Sequence, residues 1–507
     1  MKLKKLGFAV VFAMILPFMS ACASEIEYEI LRVYNCEDYI LETDLETGEL
    51  GLVDQFIEMM ADVYGRNVKV VYDTYDTNES MLSQVKTGKV NYDLICPSDY
   101  TIQKMIAEDL IIPFEDEYGN STTKVYDRYA SEFLLNKLDG IDVRVYENDE
   151  ITVLKNQLNR YARGYMWGTT GILYNPSYNP DLDVDFVNDY SKLWDSKYYN
   201  AVSIKDSMRE TYGIGVLKTY QSEFEDYKLQ FEQGILSEKE YNDKITKLFN
   251  SSDTEVLDAV SKELIKLKDN IFGFEVDSGK TDIQQGKIAI NIAWSGDATY
   301  AMDEAPEGVT LKYVLPKIGS NIWFDGWVMP KNADVELASK FVDFLSQPES
   351  AVANMDSIGY TPFIACQEIF DYVVESYGSD EEEIAANPDN FFKKDLSYFF
   401  KHVEDDEETE YSLFIENDLR GTQIDTQYPD QEQLPSLLIM DDFGPNTKNL
   451  LKMWETVKNT TMPAYFYYIV LSAFIVFVGA VLAHIIYSHK KKRDRKARLK
   501  ARYAVKK

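Results

Sequence analysis

A carboxylate between two indoles is the most chemically suggestive feature of this sequence. Within residues 321–330, Asp325 stands two positions after Trp323 and two before Trp327. Such a carboxylate can neutralise an ammonium group while aromatic faces cover its alkyl chain, and each desolvated cation–π contact contributes roughly 0.5–2 kcal/mol. The pattern therefore suggests a site for an organic cation, although it also fits a buried aromatic strand with a surface Asp325.

The first part of the chain alternates strand and helix patterns. An amphipathic helix is predicted from 52 to 64, ended by Gly65, and a second helix is predicted to be capped by Asn78. Three predicted strands surround these helices, at 30–34, 68–72 and 92–96. The β-α-β-α-β order implies a parallel sheet, and open parallel sheets bind ligands beyond the carboxyl ends of their strands.

The segments that follow these three strands are rich in acids, hydroxyls and tyrosines. They are residues 35–39, 74–78 and 97–100. A polar cationic ligand is therefore expected at this edge of the sheet.

A second group of strand and helix patterns follows, at 165–174, 205–210 and 289–293. Two charged stretches look like insertions into this framework: 220–270 has helical spacing, whereas 378–410 is acidic and reads as solvated surface.

Composition excludes several classes of function. The chain has 507 residues and a formal net charge of −33, which disfavours binding to nucleic acid, so no nucleic-acid partner is expected. Only three histidines are present, and two of them, His484 and His489, fall in or beside an apolar segment near the C-terminus. A Ser-His-Asp triad or a multi-histidine zinc site is hard to assemble from them, so no enzyme activity, resident metal or cofactor is expected.

Both ends of the chain carry membrane signals. Residues 1–22 resemble a lipoprotein-type signal that ends in Met19-Ser-Ala-Cys22, with Cys22 as the lipidated residue; a plain signal peptide or an uncleaved anchor stays open. Residues 465–487 contain no charged side chain, and as a helix they would extend about 34 Å, enough to cross a hydrocarbon core of roughly 30 Å. The tail 488–507 is basic and is predicted to be cytoplasmic, so about 23–463 would lie outside the cell membrane.

The chain resembles the spermidine/putrescine-binding proteins of bacterial polyamine ABC importers. The similarity runs over about residues 30–457, with gaps at the two insertions, and rests on the order and spacing of many short landmarks. In chain order they are Tyr34-Asn35 with Tyr39, Thr74-Tyr75 with Asn78-Glu79 and Met81, Tyr92-Asp93-Leu94 with Pro97-Ser98 and Tyr100, Trp167-Gly168, Asp206 with Arg209-Glu210, Trp294 with Gly296, Trp323-Phe324-Asp325, Ile358-Gly359-Tyr360 and Tyr428-Pro429-Asp430.

The resemblance implies an α/β, type II periplasmic-binding-protein fold, with two lobes that close on a ligand in the cleft between them. Lobe 1 would comprise 30–160 with 323–360, and lobe 2 would comprise 161–322 with 361–457. The helix 465–487 and its basic tail would be additions to this fold.

The resemblance also implies a set of ligand-binding residues. The acids that hold the amine would be Asp38, Glu210 and Asp325. The aromatic walls would be Tyr39, Trp294, Trp323 and Tyr360, with Ser98 and Tyr100 as hydrogen-bond partners. Carboxylates at intervals match the ammonium groups of a polyamine, and aromatic faces bury its CH₂ groups at about 0.8 kcal/mol each.

Several positions depart from the family pattern. The family often has Trp, Thr and Glu where this chain has Cys36, Glu37 and Asp38. It often has Asp and Gln where this chain has Ser207 and Met440. Glu37 could restore a negative charge near Asp38, and Asp206 could replace the acid that is missing at Ser207. With these changes, the sequence predicts a cationic amine as the ligand and leaves open which amine it is.

Cys36 and Cys96 follow the first and third predicted strands, which are adjacent in this fold class. A disulfide between them requires Cα atoms within about 7 Å, and two unpaired thiols are the other alternative.

The sequence thus predicts a membrane-attached binding protein that captures a polyamine outside the cell and delivers it to an ABC permease. One alternative keeps the fold and changes the ligand to another organic cation, or to a ferric ion held by Tyr39, Tyr100 and Tyr360. Another is a surface receptor or scaffold that does not transport.

Overall fold

The structure is a computed structural model that describes residues 27–147, 150–178, 180–182, 188–403, 405–406 and 409–459, together with positions 471–472, 474–479, 481, 490 and 493. The predicted signal 1–22 with Cys22 lies outside the described residues, as does most of the predicted helix 465–487 and of the tail. Within the described part of the chain, no helix is both long and apolar enough to cross a membrane.

The strands form one large mixed sheet and two small two-stranded sheets. The order in the main path of the large sheet is β2-β1-β3-β12-β7-β10-β8-β9. In chain order the strands are β1 (Glu29–Cys36), β2 (Val68–Tyr75), β3 (Leu94–Ile95), β4 (Ile111–Ile112), β5 (Val143–Glu147), β6 (Glu150–Leu154), β7 (Ala162–Tyr174), β8 (Val202–Lys205), β9 (Gly273–Glu275), β10 (Ile290–Trp294), β11 (Lys312–Val314), β12 (Ser320–Pro330), β13 (Thr361–Pro362), β14 (Phe391–Asp395), β15 (Ser412–Glu416) and β16 (Leu437–Leu438).

The helices connect these strands and cover the faces of the sheet. They are Leu52–Tyr64, Asn78–Thr87, Asp99–Ala107, Lys124–Tyr129, Glu132–Asp139, Leu158–Tyr161, Met208–Thr219, Gln221–Glu232, Glu238–Phe249, Thr254–Lys268, Ser278–Gln284, Ser295–Asp303, Val335–Leu345, Pro348–Ile358, Gln367–Tyr377, Glu381–Ala386, Ser397–Phe400, Gln423–Gln427 and Thr447–Lys458.

The predicted β-α-β-α-β start of the chain is confirmed. β1 pairs in parallel with β2 on one side and with β3 on the other. The first helix ends as expected at Gly65, whose φ of 63° is a left-handed conformation that glycine adopts without strain. The predicted cap at Asn78 is wrong: Thr77 caps the second helix by accepting from the Ser80 N–H. Asn78 is the first residue of this helix, and its side-chain amide forms hydrogen bonds outside the helix.

Two long strands cross the middle of the molecule side by side. β7 and β12 pair antiparallel from Ile322↔Thr169 to Val328↔Ala162. Every residue of β7 is buried, because strands covered on both faces of a sheet contact protein on both sides. At one end β12 pairs with β3 and β4, and at the other end with β16. The strand that carries Asp325 therefore joins both halves of the sheet.

Buried side chains form two clusters. The first contains Leu31, Phe56 and Trp327, and the second contains Ile204, Val260 and Trp454. We expected 361–457 to belong to the second lobe. In the structure the buried residues between Phe363 and Tyr428 lie in the first cluster, and those between Leu438 and Val457 lie in the second.

The two stretches interpreted as insertions are both structured. Residues 220–270 form three helices, and Ser237 and Glu240 make a reciprocal capping box at the start of the middle one. The acidic stretch 378–410 contributes the helix Glu381–Ala386, whose residues are not buried, and the strand β14, which pairs with β15.

Candidate functional site

Asp325 lies at an irregularity in β12. The register between β12 and β7 shifts between Asp325 and Gly326, and such bulges redirect side chains and often occur beside functional sites. The Tyr39 hydroxyl donates to Oδ2 of Asp325 at 2.8 Å, and the Ser98 hydroxyl also donates to this carboxylate. Burial raises the pKa of Asp325 to about 6, although these two hydrogen bonds oppose the shift.

Three aromatic rings surround this carboxylate. Trp323 is 7% exposed, and its ring centroid lies 5.7 Å from that of Tyr360. Tyr360 in turn meets Tyr39 edge to face at 4.9 Å. Among the described residues, no lysine or arginine forms an ion pair with Asp325, so its negative charge is met by hydroxyl donors alone.

The loop after β1 supplies Tyr39 and the two neighbouring acids. Asp38 is exposed and has a φ of 52°, a left-handed conformation that Asp tolerates better than most residues. Glu37 is exposed as well, whereas Cys36 is half-buried. The two acids of this loop therefore face solvent, while Tyr39 reaches Asp325.

Glu210 is buried near the start of the helix Met208–Thr219. Its Oε2 accepts from the Thr170 hydroxyl and its Oε1 from the Asn321 side chain, both at 2.9 Å, and Trp294 also donates to it. Burial raises the pKa of Glu210, and these hydrogen bonds oppose the shift. Ser207 caps the helix by accepting from the Glu210 N–H, so Ser207 has a local structural role here.

Asn321 and Asp325 stand four residues apart on β12, which corresponds to about 13 Å of extended chain. Because Asn321 binds Glu210, the helix residue Glu210 contacts β12 four residues before Asp325. An elongated molecule with cationic ends matches such an arrangement.

Ser98 and Tyr100 have different surroundings. Asn78 donates to the Ser98 hydroxyl at 2.9 Å and accepts from the Ser98 N–H at 3.1 Å, and this pair fixes the loop that faces Asp325. The Tyr100 ring is covered by the guanidinium of Arg209, 4.2 Å from its centroid. Tyr100 therefore contacts the helix that carries Glu210.

Two residues of the sequence-based set have other partners. Both oxygens of Asp206 accept from Lys458 at 2.7 Å, so Asp206 is paired with a lysine in this structure. Met440 is buried in the second cluster, and its carbonyl accepts from the Gln103 side chain at 2.9 Å. Trp327 is buried against Tyr165, in agreement with a packing role.

Lys205 and Asp297 were not predicted to belong to the site. Tyr360 donates to Oδ1 of Asp297 at 2.8 Å, and Lys205 lies over the ring of Trp294. Asp297 closes the run Trp294-Ser-Gly-Asp297, and its side chain is directed by the helix Ser295–Asp303. Nothing in the sequence around Lys205 indicates that its ammonium group is buried.

Cys36, Cys96 and Cys366 are all free thiols, so the structure contains no disulfide between Cys36 and Cys96. Burial raises the pKa of Cys36 to about 12, and the charge of Asp325 adds to this shift. The same two causes raise the pKa of Cys96, so the thiols of Cys36 and Cys96 are both protonated at neutral pH.

The geometry also bears on metal binding. Among the described residues, no group of three or more His, Cys, Asp or Glu side chains could hold a metal ion. The phenols of Tyr39, Tyr100 and Tyr360 contact three different partners, namely Asp325, Arg209 and Asp297. Burial raises the pKa of all three phenols, which disfavours the tyrosinate form that iron binds.

Known proteins are similar to this chain in sequence and in fold. The spermidine/putrescine-binding periplasmic protein of Salmonella typhimurium is 26% identical over 347 residues, which cover 67% of this chain and 80% of that protein. The putrescine-binding periplasmic protein SpuD of Pseudomonas aeruginosa is 27% identical over 342 residues, covering 65% of this chain and 77% of that protein.

A crystal structure of the spermidine/putrescine ABC transporter substrate-binding protein PotD from Streptococcus pneumoniae superposes with a TM-score of 0.52 at 25% identity. The alignment covers 85% of this chain and 100% of that one, and it confirms the predicted α/β periplasmic-binding fold. The family model of the bacterial extracellular solute-binding proteins matches residues 51–366. The chain belongs to this family of bacterial extracellular solute-binding proteins.

Proposed function

We propose that this protein captures a polyamine outside the cell and delivers it to an ABC permease. The observation that carries the proposal is Asp325: a half-buried carboxylate among Trp323, Tyr360 and Tyr39 that has no cationic partner among the described residues. A buried charge without a partner is costly. A ligand ammonium group would supply that partner, and the aromatic rings would cover its neighbouring methylenes.

The spacing of the acids supports an elongated amine. Asn321, which binds Glu210, and Asp325 stand about 13 Å apart along β12. Trp323 lies between these two positions on β12, and Trp294 donates to Glu210; both rings can bury methylene groups at about 0.8 kcal/mol each. Alternating charge and apolar surface matches a chain of ammonium groups separated by methylenes.

The relatives support the same class of ligand, since the two named above are spermidine/putrescine-binding and putrescine-binding proteins. The departures at Cys36, Glu37, Ser207 and Met440 argue for a ligand preference of this chain's own. We therefore assign the ligand class, a linear polyamine, rather than one member of it.

A calorimetric titration of the full-length chain in detergent with putrescine, spermidine and spermine tests the proposal. We expect at least one of them to bind with a micromolar dissociation constant or tighter. Choline serves as a compact organic cation, and it should bind at least tenfold more weakly. Affinity weaker than millimolar for all three polyamines would refute the assignment.

The ferric-ion alternative has a distinct signature. A tyrosinate–iron complex is coloured, so ferric citrate added to the chain should give no visible charge-transfer band if the protein binds an amine. A band that disappears in Tyr39→Phe would favour iron instead.

We further propose that the binding domain is held at the cell membrane. The support is the sequence: Cys22 at the end of the predicted signal, the uncharged segment 465–487 and the eleven lysines and arginines of 490–507. Attachment would keep the domain near a permease and raise its local concentration there.

A further inference from the structure

A buried lysine lies directly behind one end of the candidate site. Lys205 is the last residue of β8, and its side chain is 1% exposed. Its Nζ lies 4.4 Å from the ring centroid of Trp294, one of the aromatic walls. Nζ also donates to the Val276 carbonyl at 2.9 Å, so the ammonium group is fixed in place.

Two carboxylates hold this ammonium group in its charged form. Nζ of Lys205 lies 2.6 Å from Oδ2 of Asp297 and 3.1 Å from Oε1 of Glu275. Burial alone would lower the pKa of Lys205, but these two carboxylates raise it above its ordinary value. Lys205 therefore carries a permanent positive charge at neutral pH.

The cluster of Lys205, Asp297 and Glu275 contacts two side chains of the candidate site. Tyr360 donates to the carboxylate of Asp297, and Trp294, under which the ammonium lies, donates to Glu210. A cation on an indole ring uses part of the attraction that the ring offers to a second cation. A ligand ammonium group at the Glu210 end therefore shares Trp294 with an ammonium group already in place. The charge there is set by a balance between Lys205, the two carboxylates and Lys280, whose Nζ lies 3.5 Å from Oδ1 of Asp297, so removing Lys205 makes this end more negative.

At the other end of the site, no lysine or arginine of the described residues forms an ion pair with Asp325. Asp325 lies about 13 Å along β12 from the position that binds Glu210, and Tyr39 and Ser98 are its hydrogen-bond donors. A short diamine bound at Asp325 keeps both ammonium groups near that end. A longer triamine extends toward Glu210 and Trp294.

We propose that Lys205 is a specificity-determining residue, which acts as a built-in ammonium group at the Trp294 end of the cleft and makes the protein favour diamines over longer polyamines. The inference rests on the polyamine binding proposed above. Lys205 affects which ligand is preferred rather than whether an amine binds. Asp325 and its aromatic neighbours remain in place when Lys205 is replaced.

The direct test is Lys205→Met in the full-length chain, titrated by calorimetry with putrescine and with spermidine. The wild-type chain should bind putrescine more tightly. In Lys205→Met, the ratio of spermidine affinity to putrescine affinity should rise at least tenfold, mainly through tighter binding of spermidine.

Lys394→Met is the matched control. Lys394 is also buried and is held by two carboxylates, Asp425 at 2.5 Å and Asp430 at 2.7 Å, but it does not contact the site residues. Its loss should leave the spermidine-to-putrescine ratio unchanged, which separates the effect of losing a buried cation in general from the effect of losing this one.

Glu275→Gln is a second variant, and it is expected to change the spermidine-to-putrescine affinity ratio in the opposite direction. It keeps Lys205 and removes one of the two charges that neutralise it, so the spermidine-to-putrescine ratio should fall. This variant decides the question if thermal unfolding shows that Lys205→Met does not fold.

The outcomes distinguish this inference from the proposed function. If the wild-type chain binds no polyamine, the proposed function fails and the inference fails with it. If the wild-type chain binds polyamines but the ratio stays the same in Lys205→Met and in Glu275→Gln, only the role of Lys205 is refuted.

Discussion

Asp325 combines burial with negative charge, and these two properties oppose each other. Its pKa of about 6 lies above the ordinary value of 3.8 because burial disfavours the carboxylate. The folded protein therefore binds the proton more tightly than the unfolded chain does. This carboxyl consequently favours folding most when protonated, and stability falls as pH rises from about 4 to about 6.

Asp325→Asn should therefore stabilise the ligand-free protein at pH 8 by about 1–3 kcal/mol. The gain should vanish below about pH 3, where the carboxyl is protonated in both states. Denaturant unfolding at the two pH values measures this. A destabilised variant at pH 8 would show that the carboxylate is stabilised in the folded state and contradict the raised pKa.

The same shift predicts how amine binding depends on pH. Binding an ammonium group requires the carboxylate, so affinity should fall below about pH 6, by up to about tenfold for each pH unit. Burial also raises the pKa of Asp99 and Glu210 nearby. The residual amine binding of Asp325→Asn can be measured across the same pH range. If its affinity no longer drops near pH 6, the drop in the wild-type chain is due to Asp325.

Replacing Asp206 is expected to leave amine binding nearly unchanged. Lys458 already neutralises it, so Asp206→Asn should change amine affinity less than twofold, as exposed ion pairs contribute only about 0–1 kcal/mol. A loss of tenfold or more in a titration would show that Asp206 turns into the cleft when a ligand is present.

At the residue scale, the sequence predicted which kinds of side chain form the site, but it did not predict which side chains contact each other. The motif around Asp325 indicated a carboxylate beside aromatic rings, and the structure places Trp323, Tyr360 and Tyr39 around it. The pairing of Asp206 with Lys458 joins positions 252 residues apart. No local pattern contains that information, and the same holds for the burial of Lys205 beside Trp294.

At the scale of elements, glycines allow the aromatic walls to approach the backbone. A Cβ added at Gly296 would lie 2.2 Å from the Tyr360 ring, and one at Gly168 would lie 2.6 Å from the Trp323 ring. These glycines belong to the helix Ser295–Asp303 and to β7. The positions of two walls thus depend on the absence of a side chain in neighbouring elements.

Gly296→Ala should displace the Tyr360 ring and weaken amine binding by roughly tenfold or more, since overpacking a filled site costs about 1–3 kcal/mol. Gly273→Ala is the matched control, because a Cβ there meets no atom within 4 Å and the residue does not need positive φ. Calorimetry on both variants measures the effect. Equal affinities would show that Tyr360 does not contribute to binding.

Secondary structure was predictable wherever local periodicity decided it. The helix 52–64 and its end at Gly65 match the structure, because apolar spacing and a left-handed glycine are local signals. The cap at Asn78 was mispredicted because Thr77 and Asn78 are both good capping residues. The amide of Asn78 instead binds Ser98, which tertiary contact alone decides.

At the scale of the molecule, β7 and β12 connect the two sides of the sheet and carry site residues between them. The family fold was predictable from the order of landmarks along the chain. The membership of 363–428 in the first buried cluster was not, because it depends on packing among aromatic side chains such as Phe399, Phe400 and Tyr428.

Membrane attachment is testable on the whole molecule. Expressed in a bacterium, the full chain should sediment with membranes and resist a high-salt wash, and Cys22→Ala should still do so if the segment 465–487 anchors it. Removing residues 460–507 from Cys22→Ala should release the protein. A full-length chain found in the soluble fraction would contradict attachment.

The central claim is that Asp325 binds a polyamine ammonium group, and calorimetric titration of Asp325→Ala beside the wild-type chain tests it most directly. Removing one partner of a buried charge pair costs about 3–5 kcal/mol, so affinity for the preferred polyamine should fall at least a hundredfold. Unchanged affinity in a folded Asp325→Ala would contradict the claim.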